Sequence, residues 1–429
     1  MNDSLRSLLM VAYFFPPLGG GGVQRTLKFV KYLPGCGWRP IIITTRQSKT
    51  HLEDMDLNEE IPPDARIVRT ADVGLPRWLP WRVRAWITRW LFLVDEHIGW
   101  LLFSIRPSLK HIQRESIQAI YSTSAPYTDH LIGYQLKQRT QLPWVADFRD
   151  PWIGNTSVNF PTQLHKRLVE KMEAKVLFSA DRVLVVSEPM RQAILSRYTN
   201  IPAGKVIVLP NGYDPGDFAT LKTDMIQAVC ENDRFLMVYS GSFYGQRQVT
   251  VNKFLNALVH LLENQTIPRE RLRIRFVGNI GKTTLEQIQT CGLKDVCQVT
   301  GYLPHRQSLL HLMAADVLLL IIGRGPGSAA VFTGKIFEYL ASDKTILCLA
   351  DPGAAADLVQ EAQAGVVIDP EDIPAIANQV ATLYQKWAAG NLNKAQPDQN
   401  VVHRYDRRAL TRQLADILDE ITHQDREKL

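Results

Sequence analysis

The sequence predicts an α/β protein made of two doubly wound, parallel-sheet domains. Three observations predict it. Short apolar runs alternate with helical patterns along 429 residues, more chain than one ordinary core holds. The alternation stops at a dense turn cluster, Pro210-Asn211-Gly212-Tyr213-Asp214-Pro215-Gly216, and then restarts. Strands in both halves run straight into glycine, at Gly19 to Gly22 and again at Gly241.

The first half opens on an apolar run, Leu8–Phe15, stopped by Pro16 and Pro17. Gly19, Gly20, Gly21 and Gly22 follow, and Val23 to Leu33 then has helical spacing, with Val23, Leu27, Val30 and Leu33 on the apolar side. Further strands are expected at Ile41–Thr45, Ala119–Ser122, Trp144–Phe148, Arg182–Val186 and Val206–Leu209. The second half carries strand patterns at Phe235–Ser240, Leu272–Val277, Val296–Thr300, Val317–Ile322, Thr345–Ala350 and Val366–Ile368. Tyr405 to Ile421 reads as an amphipathic helix, and Thr422–Leu429 as a frayed tail. We expect domains over residues 1–205 and 206–400, with the helix of 401–429 packing back on the first domain.

A glycine run between strand and helix lets a ligand approach the backbone, and the free N–H groups of a helix start favour an anion such as phosphate. Two familiar phosphate motifs are excluded. Counted from Gly19, the third glycine of a dinucleotide fingerprint is Gln24, and the second strand ends in Thr44, Thr45 and Arg46 instead of an acid. Gly278-Asn279-Ile280-Gly281-Lys282-Thr283 fails as a P-loop because its first glycine position is Phe276. In open α/β sheets ligands bind beyond the carboxyl ends of the strands. Gly19–Gly22, Asp147-Phe148-Arg149-Asp150, Gly241-Ser242-Phe243 and Gly278-Asn279 all follow strands, so the sequence directs them to one cleft between the domains.

Composition narrows the class. With 45% hydrophobic and 21% charged residues the chain suits a globular protein, and no apolar run reaches the roughly 18 residues of a membrane span. No N-terminal signal is apparent, so a cytoplasmic location is expected. Five cysteines without metal spacing read as buried thiols. A net charge of +6 suits an anionic substrate or membrane surface, and no basic block with interleaved aromatics stands at a recognisable nucleic-acid motif.

One region departs from the alternation. Five of nine tryptophans (Trp78, Trp81, Trp86, Trp90 and Trp100) fall within about 76–106, interleaved with Arg77, Arg82, Arg84 and Arg89. Such a segment either buries its tryptophans against the first domain or lies in the headgroup layer of an anionic membrane. In the second half, Lys335 and Glu338 stand three apart on one helix face. That spacing fits a lysine on a diphosphate and a glutamate on ribose hydroxyls, and equally a surface ion pair.

These motifs in this order resemble the family-4 type of retaining glycosyltransferases with the GT-B fold, two Rossmann-like domains facing a cleft. The carriers are Gly19–Gly22, Ser124-Ala125-Pro126 with His130, Asp147-Phe148-Arg149-Asp150-Pro151-Trp152, Val186-Ser187-Glu188, Pro210-Asn211-Gly212-Tyr213-Asp214, Gly241-Ser242-Phe243-Tyr244, Gly301-Tyr302 and Lys335 to Ala341. The resemblance implies a donor nucleoside diphosphate sugar, UDP or GDP, with no further cofactor and no metal. It implies that Gly19, Gly20, Gly21, Gly22, Gly241, Ser242 and Glu338 bind the donor, and that Arg247, Lys335 and His130 serve the reaction. Arg149 and Asp150 fall on the acceptor side.

Two departures stand out. Ala330 occupies the place of the first of the family's two paired glutamates, and Ser242 stands where many relatives carry a basic residue. Asp54-Met55-Asp56 has Asp-x-Asp form but lies among acids and reads as a solvated loop. The expected reaction is sugar transfer to an acceptor hydroxyl with retention, the departing phosphate being stabilised by Arg247, Lys335 and the glycine amides. A lipid-linked glycan of surface polysaccharide assembly is the expected acceptor, with peripheral association at the inner membrane face. A nucleotide-sugar 2-epimerase, or a non-catalytic nucleotide- or glycan-binding partner, remains as an alternative.

Overall fold

The computed structural model describes residues 5–46, 52–72, 78–90, 94–155, 160–231, 233–243, 246–323, 333–392 and 395–426. The chain divides into two compact units, Met1–Pro210 with Arg407–Leu429, and Asn211–Asp406.

Among the described residues the first unit forms a seven-stranded parallel sheet from β1 (Arg6–Val11), β2 (Trp38–Thr45), β3 (Arg66–Thr70), β4 (Ile117–Ser124), β5 (Trp144–Phe148), β6 (Arg182–Val185) and β7 (Val206–Val208). Their spatial order is β3-β2-β1-β4-β5-β6-β7. Side chains alternate across a strand. Leu9 and Val11 therefore enter one core with Ile41, Ile43, Ile120 and Trp144. Leu8 and Met10 enter the opposite core with Val23, Leu27 and Val30 of the Gly21–Tyr32 helix. Leu410, Leu414, Leu418 and Ile421 of the Arg407–Arg426 helix close that second core.

The second unit repeats the plan with a six-stranded parallel sheet. Its strands are β8 (Phe235–Ser240), β9 (Leu272–Val277), β10 (Cys297–Gly301), β11 (Val317–Ile321), β12 (Thr345–Leu349) and β13 (Gly365–Ile368), in the order β10-β9-β8-β11-β12-β13. Phe235, Met237 and Tyr239 face one core and Leu236 and Val238 the other. Burial on both faces explains why β8, β11 and β12 read as nearly continuous apolar runs.

Several expectations need correction. The first strand stops at Val11, because the Tyr13 N–H leaves the sheet for the Asp129 carboxylate, 2.9 Å away. β3 had no expected counterpart; it is a short edge strand whose Arg66 and Arg69 break the apolar pattern. The boundary expected after residue 205 falls after Pro210, because β7 pairs with β6 in the first sheet. The expected frayed tail instead continues as helix to Arg426, with the buried Thr422 hydroxyl donating to the Leu418 carbonyl at 2.8 Å. Cys297 and Cys348 are buried, but Cys36, Cys230 and Cys291 are only half-buried.

The Gly21–Tyr32 helix carries a charge into the first unit. Arg25, 1% exposed, donates through Nε and Nη2 to both oxygens of Asp147 at the end of β5, at 2.7 and 2.9 Å. Its remaining donors reach the carbonyls of Leu209 and Pro210 at 2.9 and 2.7 Å. Burial alone would raise the Asp147 carboxyl, but Arg25 overrides it and holds the group below the usual carboxylate range. Asp147→Asn leaves the guanidinium buried without its counter-charge. We expect a loss of about 3 kcal/mol or more in urea unfolding. The Arg25→Met/Asp147→Leu pair should cost much less, and an unchanged midpoint for Asp147→Asn would show that the ion pair does not hold this helix.

Candidate active site

In the first unit the candidate groups gather where β1, β4 and β5 end. β1 and β4 are the neighbours at which the strand order reverses direction, the place where doubly wound sheets open a crevice. Gly19 donates its N–H to the Leu52 carbonyl at 2.7 Å. Gly20 takes φ +95° immediately before the helix, a conformation that side chains disfavour. A Cβ on Gly21 would meet no atom within 4 Å, and no side chain caps the helix start. Packing therefore does not demand glycine at Gly21, while the Val23 N–H turns back to the Gly20 carbonyl at 3.2 Å.

Arg149, expected on the acceptor side, is spent on backbone. It donates to the Gly22 carbonyl through Nη1, to Ala125 O through Nη2 at 2.8 Å and to Ser124 O through Nε. It thus ties the glycine turn to the end of β4. Asp150 is exposed.

His130 is fully buried and stacks on Phe148, with ring centroids 4.3 Å apart. Trp144 donates its indole N–H to Ser122 Oγ at 2.9 Å, and Ser122 Oγ lies 2.9 Å from His130 Nδ1. With the serine proton directed to Nδ1, the ring hydrogen falls on Nε2. That Nε2 has no partner among the described residues. Burial pulls the His130 pKa down to about 3, so the ring stays neutral and acts as a hydrogen-bond donor, not as an acid or base near pH 7. Its neighbour Asp129 was not singled out in the sequence. Burial pushes the Asp129 carboxyl well above the ordinary range. Only its position one residue before His130 could have signalled it.

Asp54 and Asp56 do not share an environment. Asp54 is buried, with its N–H on the Pro17 carbonyl at 2.9 Å, whereas Asp56 is exposed. The expectation of a solvated loop therefore fails for Asp54. The Trp/Arg segment also divides. Trp100 is fully buried, donating to Thr70 Oγ1 at 2.6 Å. Trp78 (81% exposed), Trp81 (74%) and Trp86 (57%) stand out on or just before the Trp81–Trp90 helix, and Leu102 is exposed as well.

In the second unit the groups collect at the end of β8. Gly241 and Gly278 interlock: a Cβ on Gly278 would fall 2.2 Å from the Gly241 carbonyl oxygen. A Cβ on Gly241 would fall 3.0 Å from Lys335 Cε, so glycine is what lets the lysine pass. Lys335, first residue of the Lys335–Ala341 helix, places Nζ 3.2 Å from Ser240 Oγ, which in turn lies 2.9 Å from Ser308 Oγ. Burial pulls the Lys335 ammonium down, Glu338 raises it and Arg247 lowers it again. The three expected residues thus act on one another in one field. Arg247 lies in the first turn of the Gln246–Glu263 helix, and Ser242 is exposed beside it in sequence. Glu338 Oε1 lies 2.9 Å from His305 Nε2. Sequence reasoning missed Ser240, Ser308 and His305, although Ser240 closes β8 and His305 follows β10. Ala330 and the stretch Gly327 to Val331 lie outside the described residues.

Two cations at a strand end can hold a phosphate, and a fixed carboxylate can accept ribose hydroxyls. Two Rossmann-like units in one chain define the GT-B class. Solved structures agree on the fold. The chain is similar to sucrose-phosphate synthase from Thermosynechococcus elongatus, with 17% identity, 98% of this chain and 100% of that one covered and a TM-score of 0.69. It is similar to Anabaena Alr3699/HepE, solved in complex with UDP and glucose, at 15% identity, 96% and 99% coverage and a TM-score of 0.66. It is also similar to WaaG, a glycosyltransferase involved in lipopolysaccharide biosynthesis, at 13% identity, 96% and 99% coverage and a TM-score of 0.64. No curated protein matches the sequence. The family model of Glycosyltransferase Family 4 matches residues 19–217, and that of Glycosyl transferases group 1 matches residues 234–386. The chain belongs to the family-4, group 1 type of glycosyltransferases.

The neutral state of His130 has a consequence for stability. Its pKa in the fold lies below the unfolded value of about 6.5. Below pH 6.5 the unfolded chain binds a proton that the folded chain refuses, so stability falls as pH drops from 6.5 towards 3, by about 1 kcal/mol per pH unit. His130→Gln should flatten this limb in urea titrations between pH 6.5 and 4. An unchanged slope would place the acid sensitivity elsewhere.

Proposed function

We propose that this glycosyltransferase moves a hexose from UDP- or GDP-sugar to a hydroxyl of a lipid-linked glycan, with retention of anomeric configuration, in surface polysaccharide assembly. The observation that carries the donor reading is Lys335 passing over Gly241 at the end of β8, its Nζ 3.2 Å from Ser240 Oγ, with Glu338 three residues on along the same helix. Lys335 and Arg247 take the diphosphate and Glu338 the ribose. As the bond from the anomeric carbon to the diphosphate breaks, negative charge grows on the departing oxygen, and partly dehydrated cations stabilise it more than hydrated ones would. No enzymic nucleophile is assigned; the acceptor oxygen attacks from the face the diphosphate leaves, and the departing phosphate takes its proton. His130 Nε2–H and the amides of Gly21 and Gly22 are neutral donors suited to sugar hydroxyls. The neutral His130 also counts against the 2-epimerase reading, which needs a working acid or base there.

The relatives lend the sugar chemistry its class: one was solved with UDP and glucose, and another is involved in lipopolysaccharide biosynthesis. For the membrane, no described helix is long and apolar enough to cross it. Exposed Trp78, Trp81 and Trp86 with interleaved arginines fit a helix lying at the headgroup level of an anionic surface, peripheral on the cytoplasmic face.

A thermal-shift panel of UDP, GDP and their sugars tests the donor reading, since a ligand that binds only the folded state raises its melting temperature. We expect one nucleotide family to raise it. Glu338→Ala should abolish most of that rise, and Arg247→Ala should lower turnover at least about tenfold, the size of one lost charge-assisted contact. No rise with any nucleotide would favour a non-catalytic partner, and an epimerised donor formed without acceptor would favour the 2-epimerase.

For the membrane reading, the wild type should sediment with phosphatidylglycerol vesicles at low salt. Reversing Arg82, Arg84 and Arg89 to Glu should release it, because each basic group near such a surface contributes about 1 kcal/mol. Failure of the wild type to sediment would end the membrane reading.

A further inference from the structure

We propose that His305 is a positioning residue that fixes the Glu338 carboxylate and so sets the preference of the second unit for a ribose over a 2′-deoxyribose. The proposal rests on the reading above that Glu338 holds the ribose.

Three elements distant in sequence meet here. His305 is the first residue of the His305–Ala314 helix, Glu338 lies in the first turn of the Lys335–Ala341 helix, and Asp217 lies on the Pro215–Ala219 helix. His305 Nε2 is 2.9 Å from Glu338 Oε1, and Nδ1 is 3.9 Å from Asp217 Oδ2. All three side chains are largely withdrawn from water, at 17%, 20% and 11% exposure. A carboxylate has only lone pairs, so at 2.9 Å the imidazole proton must sit on Nε2 and point at Oε1. Asp217, at 3.9 Å, is beyond hydrogen-bond reach and acts on the ring through its charge.

The consequence concerns geometry. A glutamate has three side-chain torsions, and ordering them when a ligand arrives costs conformational entropy. His305 orders them in advance. With Oε1 tied to the ring, the plane of the carboxylate is fixed, and the O2′ and O3′ hydroxyls meet it in one orientation. Lys335, three residues earlier on the same helix, turns its Nζ to Ser240 instead. Cation and carboxylate are thereby assigned to different parts of a nucleotide. A site built around hydroxyl protons rejects the analogue that lacks one, because the carboxylate is then left short of a partner.

Calorimetry on the full chain tests this with UDP, GDP and their 2′-deoxy forms. The wild type should bind one ribonucleotide at least about tenfold more tightly than its 2′-deoxy form. His305→Phe should lose about tenfold on the ribonucleotide and stay within twofold on the 2′-deoxy form. His305→Gln, which keeps an N–H donor, should restore the ribonucleotide to within threefold. A role in folding alone would weaken both nucleotides together. Should His305→Phe fold poorly by circular dichroism, His305→Ala decides by the same ratio. If discrimination survives in the His305 variants but vanishes in Glu338→Gln, the His305 proposal fails and the Glu338 reading stands. If it also survives in Glu338→Gln, or if neither nucleotide binds, that reading fails and the proposal falls with it.

Discussion

The first unit is organised around a buried ion pair. Arg25 enters from the helix that follows the glycine turn, and Asp147 waits at the end of β5. Tyr121 on β4 gives its hydroxyl to the same carboxylate, and Leu209 and Pro210 give their carbonyls to the guanidinium. Taking two charges out of water costs nearly as much as their attraction returns, so the pair adds little net stability over an apolar pair of the same volume. Its return is positional. A bidentate guanidinium has one good orientation, and that orientation sets where the Gly21–Tyr32 helix begins. Arg149 fixes the same helix from its other side through the Gly22 carbonyl and joins it to Ser124 and Ala125. The uncapped N–H groups at the glycine turn are thus held by two arginines, neither of which is available to a ligand through these contacts.

The second unit reaches a rigid strand end by another route. There the constraint is steric: Gly278 and Gly241 approach more closely than any side chain permits, and Lys335 passes over Gly241. The Tyr339 hydroxyl accepts the Ser240 N–H at 2.8 Å and anchors the turn to the Lys335–Ala341 helix. The lysine is half-buried, with its ammonium on a serine hydroxyl, and burial lowers its pKa.

The sequence made the scaffold legible because both sheets are buried on two faces. Apolar-rich stretches, with Pro143 before β5, Gly241 after β8 and Gly278 after β9, marked these three strands to the residue. β3 escaped because an edge strand needs an apolar pattern on only part of its surface, and Arg66 and Arg69 broke the run. The candidate site was legible where one short stretch carried both ends of an interaction, as Lys335 and Glu338 do. It was illegible where partners come from distant segments. Nothing local says that His305 meets Glu338, that Ser122 mediates between Trp144 and His130, or that Arg149 serves the backbone. Burial also reverses chemistry that residue type suggests. His130 reads as an acid or base in sequence, and its surroundings make it a neutral donor.

The two units differ in the charge they offer, and the difference matches the two parts of a glycosyl transfer. At the strand ends of the first unit the buried charges Arg25 and Asp147 are spent on each other, and the buried histidine refuses a proton. Both of its arginines are consumed internally. Such a surface suits a polyol, whose hydroxyls need directional donors and acceptors and gain nothing from a net charge. In the second unit the like charge of Arg247 lowers the Lys335 ammonium. Two like charges raise each other's free energy, and an anion placed with them relieves that cost. On the donor reading proposed above, this is the electrostatic driving force that Asn211–Asp406 would offer a nucleoside diphosphate.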